Sequence, residues 1–241
     1  MGTRRGPDPL RGPPALISLV LTDIEGTTSA IAFVKETLFP FAEAALDGFL
    51  DAHGGEPEVA AILAGVPGPD RRATLRRWMA EDAKVTPLKA LQGLIWRAGF
   101  EDGRLRGHLW PDVAPCLRAW HAAGTGLAVY SSGSADAQRM LFGHSVAGDL
   151  TPLFRGFFDT RMGGKREAAS YARIAAELGH PPGAILFLSD VAEELDAAAA
   201  AGLRICQLVR AEDGTVSSGR HTDAADFPSV ARQFGLAPPP G

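Results

Sequence analysis

The sequence predicts an α/β protein whose parallel sheet is covered by helices on both faces and whose first strand is followed by a helical insertion. Three observations favour this class. Short apolar segments are typical of buried strands, helical patterns separate them, and one long stretch has helical patterns without a convincing strand. A chain of 241 residues has room for one large domain or two smaller ones.

Composition narrows the functional classes. Lys and Arg number 24 and Asp and Glu 28, so the formal net charge is −4, which argues against a nucleic-acid-binding protein. No apolar stretch approaches the roughly 20 residues that a transmembrane helix needs. Two cysteines, Cys116 and Cys206, are too few for a disulfide framework or a zinc ribbon. We therefore expect reduced, buried thiols in a cytoplasmic enzyme that binds neither nucleic acid nor membrane.

Four apolar segments are predicted strands, and the first three run directly into small polar or acidic residues. These segments are Ala15–Leu21, Leu127–Tyr130, Ala184–Leu188 and Leu203–Val209. The helical patterns that alternate with them are Pro111–Ala123, Ser134–Phe142, Glu167–Leu178 and Val191–Ala201. Strands that alternate with helices predict parallel βαβ units, in which ligands bind at the carboxyl ends of the strands.

Residues 30–111 do not follow this alternation. They contain predicted helices at Val34–His53 and at Arg71–Arg97, the second interrupted at Pro87. We predict that residues 30–111 form a helical cap over the carboxyl edge of a core built from residues 15–29 and 112–235. The Pro-rich ends, residues 1–14 and 236–241, are predicted to be flexible tails.

The loop after the first strand carries the strongest chemical signal. Asp23 and Glu25 are separated by one residue, and both can face one cavity once the chain turns at Gly26. One carboxylate can attack an electrophile while the other transfers a proton, and both offer hard oxygens to Mg²⁺. The alternative is an acidic loop in which Thr27 or Thr28 caps a helix.

Three further positions lie at predicted strand ends or strand-to-helix junctions. Ser131 and Ser132 precede a helix and could bind an anion, or one of them could serve only as a helix cap. Lys165 could neutralise a phosphate or a carboxylate, or be a solvated surface charge. Asp190 could hold a metal with Glu194 supporting it one helical turn later, or the pair could form a cap and an exposed acidic turn.

Together these residues are the set that phosphoryl transfer through an aspartyl-phosphate requires. Their order resembles the four motifs of the haloacid dehalogenase superfamily of phosphatases, with Glu25 where that superfamily usually has Asp. The chain from Ile17 to Val209 further resembles the enolase-phosphatase (acireductone synthase) family of methionine salvage. The segments that carry this likeness are DIEGTTSAIAFVKETLFPF, LKALQGLIWRAGF, VYSSGSADAQRMLFG, FFDTRMGGKREAASYARIA and FLSDVAEELDAA.

The resemblance implies a Rossmann-like, three-layer core of the haloacid dehalogenase type with a helical cap inserted after the first strand. It also implies a substrate, 2,3-diketo-5-methylthiopentyl-1-phosphate. The family enolises this diketone and then removes its phosphate with Mg²⁺, which gives the acireductone 1,2-dihydroxy-3-keto-5-methylthiopentene. The open alternatives are a phosphatase of the same superfamily for another small phosphomonoester and a non-catalytic module that binds a phosphorylated ligand.

The resemblance also assigns roles to individual residues. Asp23 would be the nucleophile and Glu25 the general acid and base. One Mg²⁺ per chain would be held by Asp23, Asp190 and Glu25, the last through its backbone carbonyl, its side chain or both. The substrate phosphate and enediol would be bound by Ser131, Ser132 and Lys165. We further expect a monomer, and we expect the apolar methylthio end of the substrate to meet Phe33, Phe39 and Phe41.

Overall fold

The computed structural model describes residues 16–240, and within this range it contains a six-stranded sheet in which every neighbouring pair is parallel. The strands are β1 (Leu19–Thr22), β2 (Gly126–Tyr130), β3 (Gly156–Phe158), β4 (Ile185–Ser189), β5 (Arg204–Leu208) and β6 (Asp223–Ala224). Their order across the sheet is β3-β2-β1-β4-β5-β6. β1 is central and aligns Thr22 with Val129 of β2 and with Leu188 of β4. The chain after β1 therefore leaves from the middle of the sheet edge.

Helices connect the strands and form the insertion. They are α1 (Phe39–His53), α2 (Pro57–Ala64), α3 (Arg71–Ala80), α4 (Thr86–Glu101), α5 (Val113–Ala122), α6 (Ala135–Gly143), α7 (Ala168–Leu178), α8 (Ala192–Ala200) and α9 (Phe227–Phe234). A π-helical turn, Val34–Leu38, leads into α1. None of the helices in residues 16–240 combines the length and the apolar character needed to cross a bilayer.

Both faces of the sheet are buried, which explains why its central strands are mainly apolar. Leu19 and Leu21 pack on one face with side chains of α7 and α8, whereas Val20 points to the opposite face with side chains of α5, α6 and α9. This alternation along β1 is the one that a strand between two layers of helices requires. The three-layer α/β class predicted from the sequence is confirmed.

The helices α1–α4 bury a hydrophobic cluster of their own. Leu46 of α1, Leu75 of α3 and Leu91 of α4 are fully inaccessible to solvent within it. At the surface of this unit, Arg72 and Arg76 of α3 pair with aspartates of α1. The division of the chain at residues 30 and 111 stays a prediction, and the insertion does carry a separate apolar core between β1 and α5.

Two parts of the predicted element list were wrong in detail. The break in Arg71–Arg97 falls between α3 and α4, and Pro87 lies in the first turn of α4. A proline is tolerated there because the first N–H groups of a helix have no partner within the helix. The first strand begins at Leu19, so residues 16–18, which were predicted to belong to it, precede it.

Several elements were absent from the sequence prediction. β3 and β6 have three and two residues, too few for a periodicity to show. α2 and α9 were also missed, although Asp226 caps α9 and Gly235 ends it in the left-handed conformation. Residues 1–15 and 241 lie outside the described range, and Leu236 is buried against the core.

Candidate active site

The predicted site residues follow three adjacent strands at the carboxyl edge of the sheet. Asp23 follows β1, Ser131 follows β2 and Asp190 follows β4, so the topology brings them to one place. Asp23 is 5% exposed, and its Oδ1 accepts a 2.7 Å hydrogen bond from the N–H of Ile24. The backbone N–H of Asp23 donates to the carbonyl of Leu188 on β4 at 2.9 Å. The Asp23 carboxylate is thus fixed at the centre of the edge.

The turn that follows Asp23 packs tightly against Asp190. Gly26 has a φ of +72°, and a Cβ at this position would overlap the carboxylate of Asp190. The carbonyl of Ile24 accepts the N–H groups of Thr27 and Thr28 at 3.2 and 2.9 Å. The hydroxyl of Thr28 bonds inside the turn to the carbonyl of Asp23 at 3.2 Å. The hydroxyl of Thr28 therefore stabilises the turn itself and does not cap a following helix.

Lys165 forms ion pairs with two carboxylates of the site. Its Nζ lies 2.7 Å from Oδ2 of Asp23 and 2.7 Å from Oε2 of Glu194, and the lysine side chain is 10% exposed. The hydroxyl of Tyr171 on α7 donates to the carbonyl of Lys165 at 2.6 Å, which fixes its backbone. The hydroxyl of Ser189 donates to Glu194 Oε2 at 3.0 Å. The alternative of a solvated surface lysine is therefore wrong.

The pKa values of these groups are shifted by burial and by their neighbours. Burial, followed by the charge of Asp23, raises the pKa of Asp190 to about 7. The same two causes, in the same order, raise the pKa of Glu25 and of Glu194. Burial on its own lowers the pKa of the Lys165 ammonium, but the carboxylates of Asp23 and Glu194 outweigh burial and raise it. The lysine therefore stays charged, and the site holds more carboxylate than it can neutralise.

A divalent cation fits this excess of carboxylates. Across residues 16–240, no three His, Cys, Asp or Glu side chains form a ready-made metal cluster. Mg²⁺ does not need one, because it usually takes one or two carboxylates and completes its shell with phosphate and water. Oδ1 of Asp190 is buried and has no hydrogen-bond partner among the described residues. An unsatisfied buried carboxylate oxygen beside a second carboxylate is a donor set for a hard cation.

The serines at the end of β2 have separate surroundings. Ser131 is buried, its N–H donates to the carbonyl of Phe158 at 3.1 Å, and its hydroxyl oxygen accepts the N–H of Gly133 at 3.4 Å. The hydroxyl of Ser134, two residues after Ser132, caps α6 by accepting the N–H of Ala137 at 3.2 Å. Ser134 therefore takes the capping role, and the binding of an anion by Ser131 and Ser132 stays a prediction.

A cleft of about 980 Å³ separates the insertion from the core. Glu25 and Ser132 line it from the core, and Lys35, Phe39 and Trp96 line it from the insertion. Of the three phenylalanines expected to meet an apolar substrate group, Phe39 is the one that lines this cleft, with its ring 5.9 Å from that of Trp96. The cleft therefore has Glu25 on its core side and an aromatic wall in the insertion.

The other two phenylalanines lie elsewhere. Phe33 is buried with its ring 6.0 Å from that of His108, and Phe41 packs against Gly99 and lies 5.3 Å from the guanidinium of Arg104. Neither is among the residues that line the cleft, so this cleft supports the expected contact with the methylthio end for Phe39 alone.

Sequence reasoning underestimated two charged residues. Glu194 was expected only to support Asp190, yet it contacts Lys165 directly. The spacing of one helical turn after Asp190 was the sequence feature that placed Glu194 near the site.

Arg210 was not singled out. It is buried and bonds to Thr27 and Asp112, which lie 183 and 98 residues away in the chain. Such long separations leave no local pattern that could have revealed it.

Known proteins resemble this chain along most of its length. A family model described as a haloacid dehalogenase-like hydrolase matches residues 17–202. A protein of Granulibacter bethesdensis named enolase-phosphatase E1 is 59% identical over 225 residues, which cover 91% of this chain and 97% of that protein. A protein of the same name from Acidiphilium cryptum is 57% identical over 220 residues, which cover 90% and 95%.

Solved structures agree with this relationship. The UTR4 protein of Saccharomyces cerevisiae superposes with a TM-score of 0.77 at 31% identity and covers 88% of this chain and 98% of that one. CbbY of Rhodobacter sphaeroides, solved in complex with phosphate, has a TM-score of 0.57 at 21% identity and supports the fold alone. The chain belongs to the haloacid dehalogenase-like hydrolases and, within them, to the phosphatases of the enolase-phosphatase E1 family.

Proposed function

We propose that this enzyme enolises 2,3-diketo-5-methylthiopentyl-1-phosphate and then removes its phosphate to give 1,2-dihydroxy-3-keto-5-methylthiopentene in methionine salvage. The observation that carries the proposal is the contact of Lys165 with Asp23 at 2.7 Å. Asp23 shares its turn with Glu25, and Glu25 lines a cleft that also has an aromatic wall. Asp23, Glu25 and Lys165 suit the reacting phosphate and diketone once a cation offsets the carboxylates. The wall around Phe39 and Trp96 suits the methylthio end.

Mg²⁺ is the proposed cofactor, one ion per chain. The side chains of Asp23 and Asp190 would hold it, together with the carbonyl or the side chain of Glu25. The bound ion would offset the negative charges of the phosphate and of these carboxylates. The fit rests on Oδ1 of Asp190, which is buried and has no hydrogen-bond partner within residues 16–240.

Enolisation comes first in the proposed sequence. A proton leaves C1 of the substrate, the C–H electron pair forms the C1=C2 double bond, and the oxygen on C2 gains a proton. The product is an enol that still carries its phosphate on C1. Positive charge beside the developing oxyanion favours this step, and Lys35 brings such a charge to the same cleft as Glu25.

Phosphate transfer to Asp23 follows. A carboxylate oxygen of Asp23 attacks phosphorus, the bond between phosphorus and the C1 oxygen breaks, and Glu25 protonates that departing oxygen. Glu25 is suited to this role because burial, followed by the charge of Asp23, raises its pKa above the ordinary value of a glutamate, which favours the protonated form. Lys165 and the N–H of Ile24 hold the Asp23 carboxylate in place and leave each oxygen a second lone pair.

Hydrolysis of the aspartyl-phosphate completes the cycle. Glu25, now ionised, takes a proton from water as the water oxygen attacks phosphorus, and the bond from phosphorus to Asp23 breaks. Ser131, Ser132 and the charged Lys165 would hold the phosphate oxygens during both transfers. Inorganic phosphate leaves, and the Asp23 carboxylate is restored.

We also infer that the enzyme is a cytoplasmic monomer. One chain supplies both walls of the cleft, and the described cysteines, Cys116 and Cys206, are buried free thiols whose pKa values burial raises to about 12. Such thiols suit a reducing compartment. Sedimentation of the purified protein tests the monomer, because a concentration-dependent shift to twice the mass would contradict it.

The decisive experiment supplies the diketo-phosphate with Mg²⁺ and follows enediol absorbance and free phosphate in the same reaction. We expect enediol absorbance to rise before phosphate appears. Phosphate released with no enediol would support a phosphatase for another phosphomonoester. Binding without release of phosphate would support a non-catalytic module. Asp196→Asn, a change at an exposed ion pair with Arg220, is the control for a generic loss of charge.

A further inference from the structure

A buried arginine lies behind the turn that carries the proposed nucleophile. Arg210 is 4% exposed, and its Nε and Nη2 donate to the carbonyl of Thr27 at 3.2 and 3.0 Å. Its Nη1 and Nη2 bond to the two carboxylate oxygens of Asp112 at 2.8 and 3.0 Å. The guanidinium carbon lies 5.5 Å from the ring centre of Trp110 and 5.6 Å from that of Phe227. One side chain thus joins segments that are far apart in sequence.

Asp112 binds Arg210 and does not cap the helix that it starts. It stands at the N-cap of α5, where an aspartate normally accepts an N–H of the helix it starts, but it makes no such bond. Its carboxylate instead accepts Arg210 and the N–H of Phe227, the latter at 2.8 Å. The first turn of α5 therefore forgoes a stabilising cap so that this carboxylate can face the arginine.

The contacts of Arg210 end on the reacting turn. Thr27 lies four residues after Asp23, and its own N–H donates to the carbonyl of Ile24 at 3.2 Å inside the turn. The next carbonyl, that of Thr28, accepts the N–H of Trp110 at 3.0 Å. The linker that returns from the insertion is therefore bonded to the turn both directly and through Arg210.

The linker that enters the insertion is held by the same stretch of chain. Asp213 accepts the N–H of Ile31 on both carboxylate oxygens, at 3.1 and 3.2 Å. The N–H of Ala30 donates to Nδ1 of His108 at 3.1 Å, which joins the entering linker to the returning one. Residues 210–213, named here the linker clasp, thus contact both connections between core and insertion.

We infer that Arg210 is a positioning residue for phosphate transfer. By binding Thr27 and Asp112 at once, it fixes the turn of Asp23 and Glu25 relative to the linker that carries the opposite wall of the cleft. This inference deepens the proposed function and rests on it for the identity of the substrate. A flat, forked guanidinium can bond two acceptors in one plane, which the point charge of a lysine cannot.

A contribution to folding stability is a poor explanation for the buried pair of Arg210 and Asp112. Removing an arginine and its partner carboxylate from water is costly, and apolar pairs of similar volume often serve folding equally well. Placement of a nucleophile is less forgiving, since a displacement of about 1 Å can lower a rate by roughly a hundredfold. The positioning role therefore predicts a loss of turnover that exceeds any loss of folded protein.

The test compares Arg210→Met and Arg210→Lys with a control of matched stability, Ile174→Ala, which opens a cavity on the opposite face of the sheet. Turnover is measured per folded enzyme with the diketo-phosphate and with p-nitrophenyl phosphate. We expect Arg210→Met to lower kcat by about tenfold or more while KM changes less. Arg210→Lys should restore kcat in part, and Ile174→Ala should keep kcat close to that of the parent enzyme.

A double-mutant cycle that combines Arg210→Met with Asp112→Asn tests whether the bond between Arg210 and Asp112 matters for turnover. If the two residues act as one unit, the Asp112→Asn Arg210→Met enzyme loses no more kcat than Arg210→Met alone. Losses that simply multiply would overturn the linkage. Parent-like kcat in Arg210→Met, with only a lower melting temperature, would overturn the positioning role.

Amide hydrogen exchange supplies a readout that does not depend on the substrate. Residues 24–29 should exchange faster in Arg210→Met than in Ile174→Ala, and equal protection in the two variants would overturn the inference. A parent enzyme that hydrolyses p-nitrophenyl phosphate but not the diketo-phosphate would contradict the proposed function while leaving this inference testable. If neither compound is hydrolysed, the exchange result decides.

Discussion

Lys165 Nζ is as close to Glu194 Oε2 as it is to Asp23 Oδ2, at 2.7 Å in both cases. The lysine is therefore shared between the proposed nucleophile and a carboxylate on α8. Glu194 is itself held by the hydroxyl of Ser189 at 3.0 Å. These contacts fix the position of the lysine's positive charge, and we expect Glu194 to act on the reaction through Lys165.

Glu194→Gln should lower kcat by about 10- to 100-fold, the usual cost of losing a group that orients a reacting residue. A neutral amide no longer attracts the ammonium, so Lys165 moves towards Asp23 and lowers its reactivity. Steady-state kinetics measure the effect. Glu193→Gln is the matched control, because Glu193 is the preceding residue of the same helix and is 56% exposed. Equal losses in the two variants would contradict this role of Glu194.

Asp23→Asn should reduce phosphate release to background and leave the protein folded. An amide cannot form the acyl-phosphate, whereas it has the size of the carboxylate and can still accept the N–H of Ile24. Rapid quenching with radiolabelled substrate should trap phosphate on the parent enzyme and none on the variant. Substantial turnover of the variant would refute Asp23 as the nucleophile.

Gly26→Ala should lower kcat by about tenfold or more, because a methyl group there displaces either the turn or the Asp190 carboxylate. Gly179→Ala is the control. Gly179 has a φ of +70°, close to the +72° of Gly26, but a Cβ there would meet no atom within 4 Å. Both variants should lose about 1 kcal/mol of stability from the backbone conformation. Only Gly26→Ala should lose turnover.

Chelation of divalent cations should stop phosphate release, and added Mg²⁺ should restore it. The reason is the excess of carboxylates at the site, which repel an incoming phosphate when no cation offsets them. Free Mg²⁺ at about 100 times its Kd should stabilise the parent enzyme by about 2.7 kcal/mol, measured by chemical unfolding. Asp190→Asn should lose most of this stabilisation. A chelator without effect on turnover would exclude the proposed cofactor.

The sequence was sufficient for the elements that have a strong pattern. β1, β2 and β4 are almost wholly apolar because both of their faces are buried, so each showed as an apolar segment. β5 (RICQL) showed a weaker pattern because Arg204 and Gln207 interrupt it. The ends of three of these strands then located Asp23, Ser131 and Asp190, since parallel strands meet at one edge. β3 and β6 are too short to show any period.

The second layer of the site was harder to predict. Glu194 could be placed beside Asp190 by helical spacing, but its bond to Lys165 depends on how α8 packs against the chain before α7. Arg210 and Asp112 are 98 residues apart, and only the three-dimensional fold joins them. A single sequence carries no local signal for such a pair, whereas the nucleophile loop is a local motif.

The central place of β1 in the sheet also has a consequence for biosynthesis. Its partners, β2 and β4, begin at residues 126 and 185, so the first strand leaves the ribosome long before either can pair with it. The insertion emerges in this interval and has its own apolar core, so we expect it to fold first. The apolar strand before Asp23 would then stay unpaired and exposed until β2 and β4 are synthesised. We therefore expect chaperones to bind this strand during synthesis.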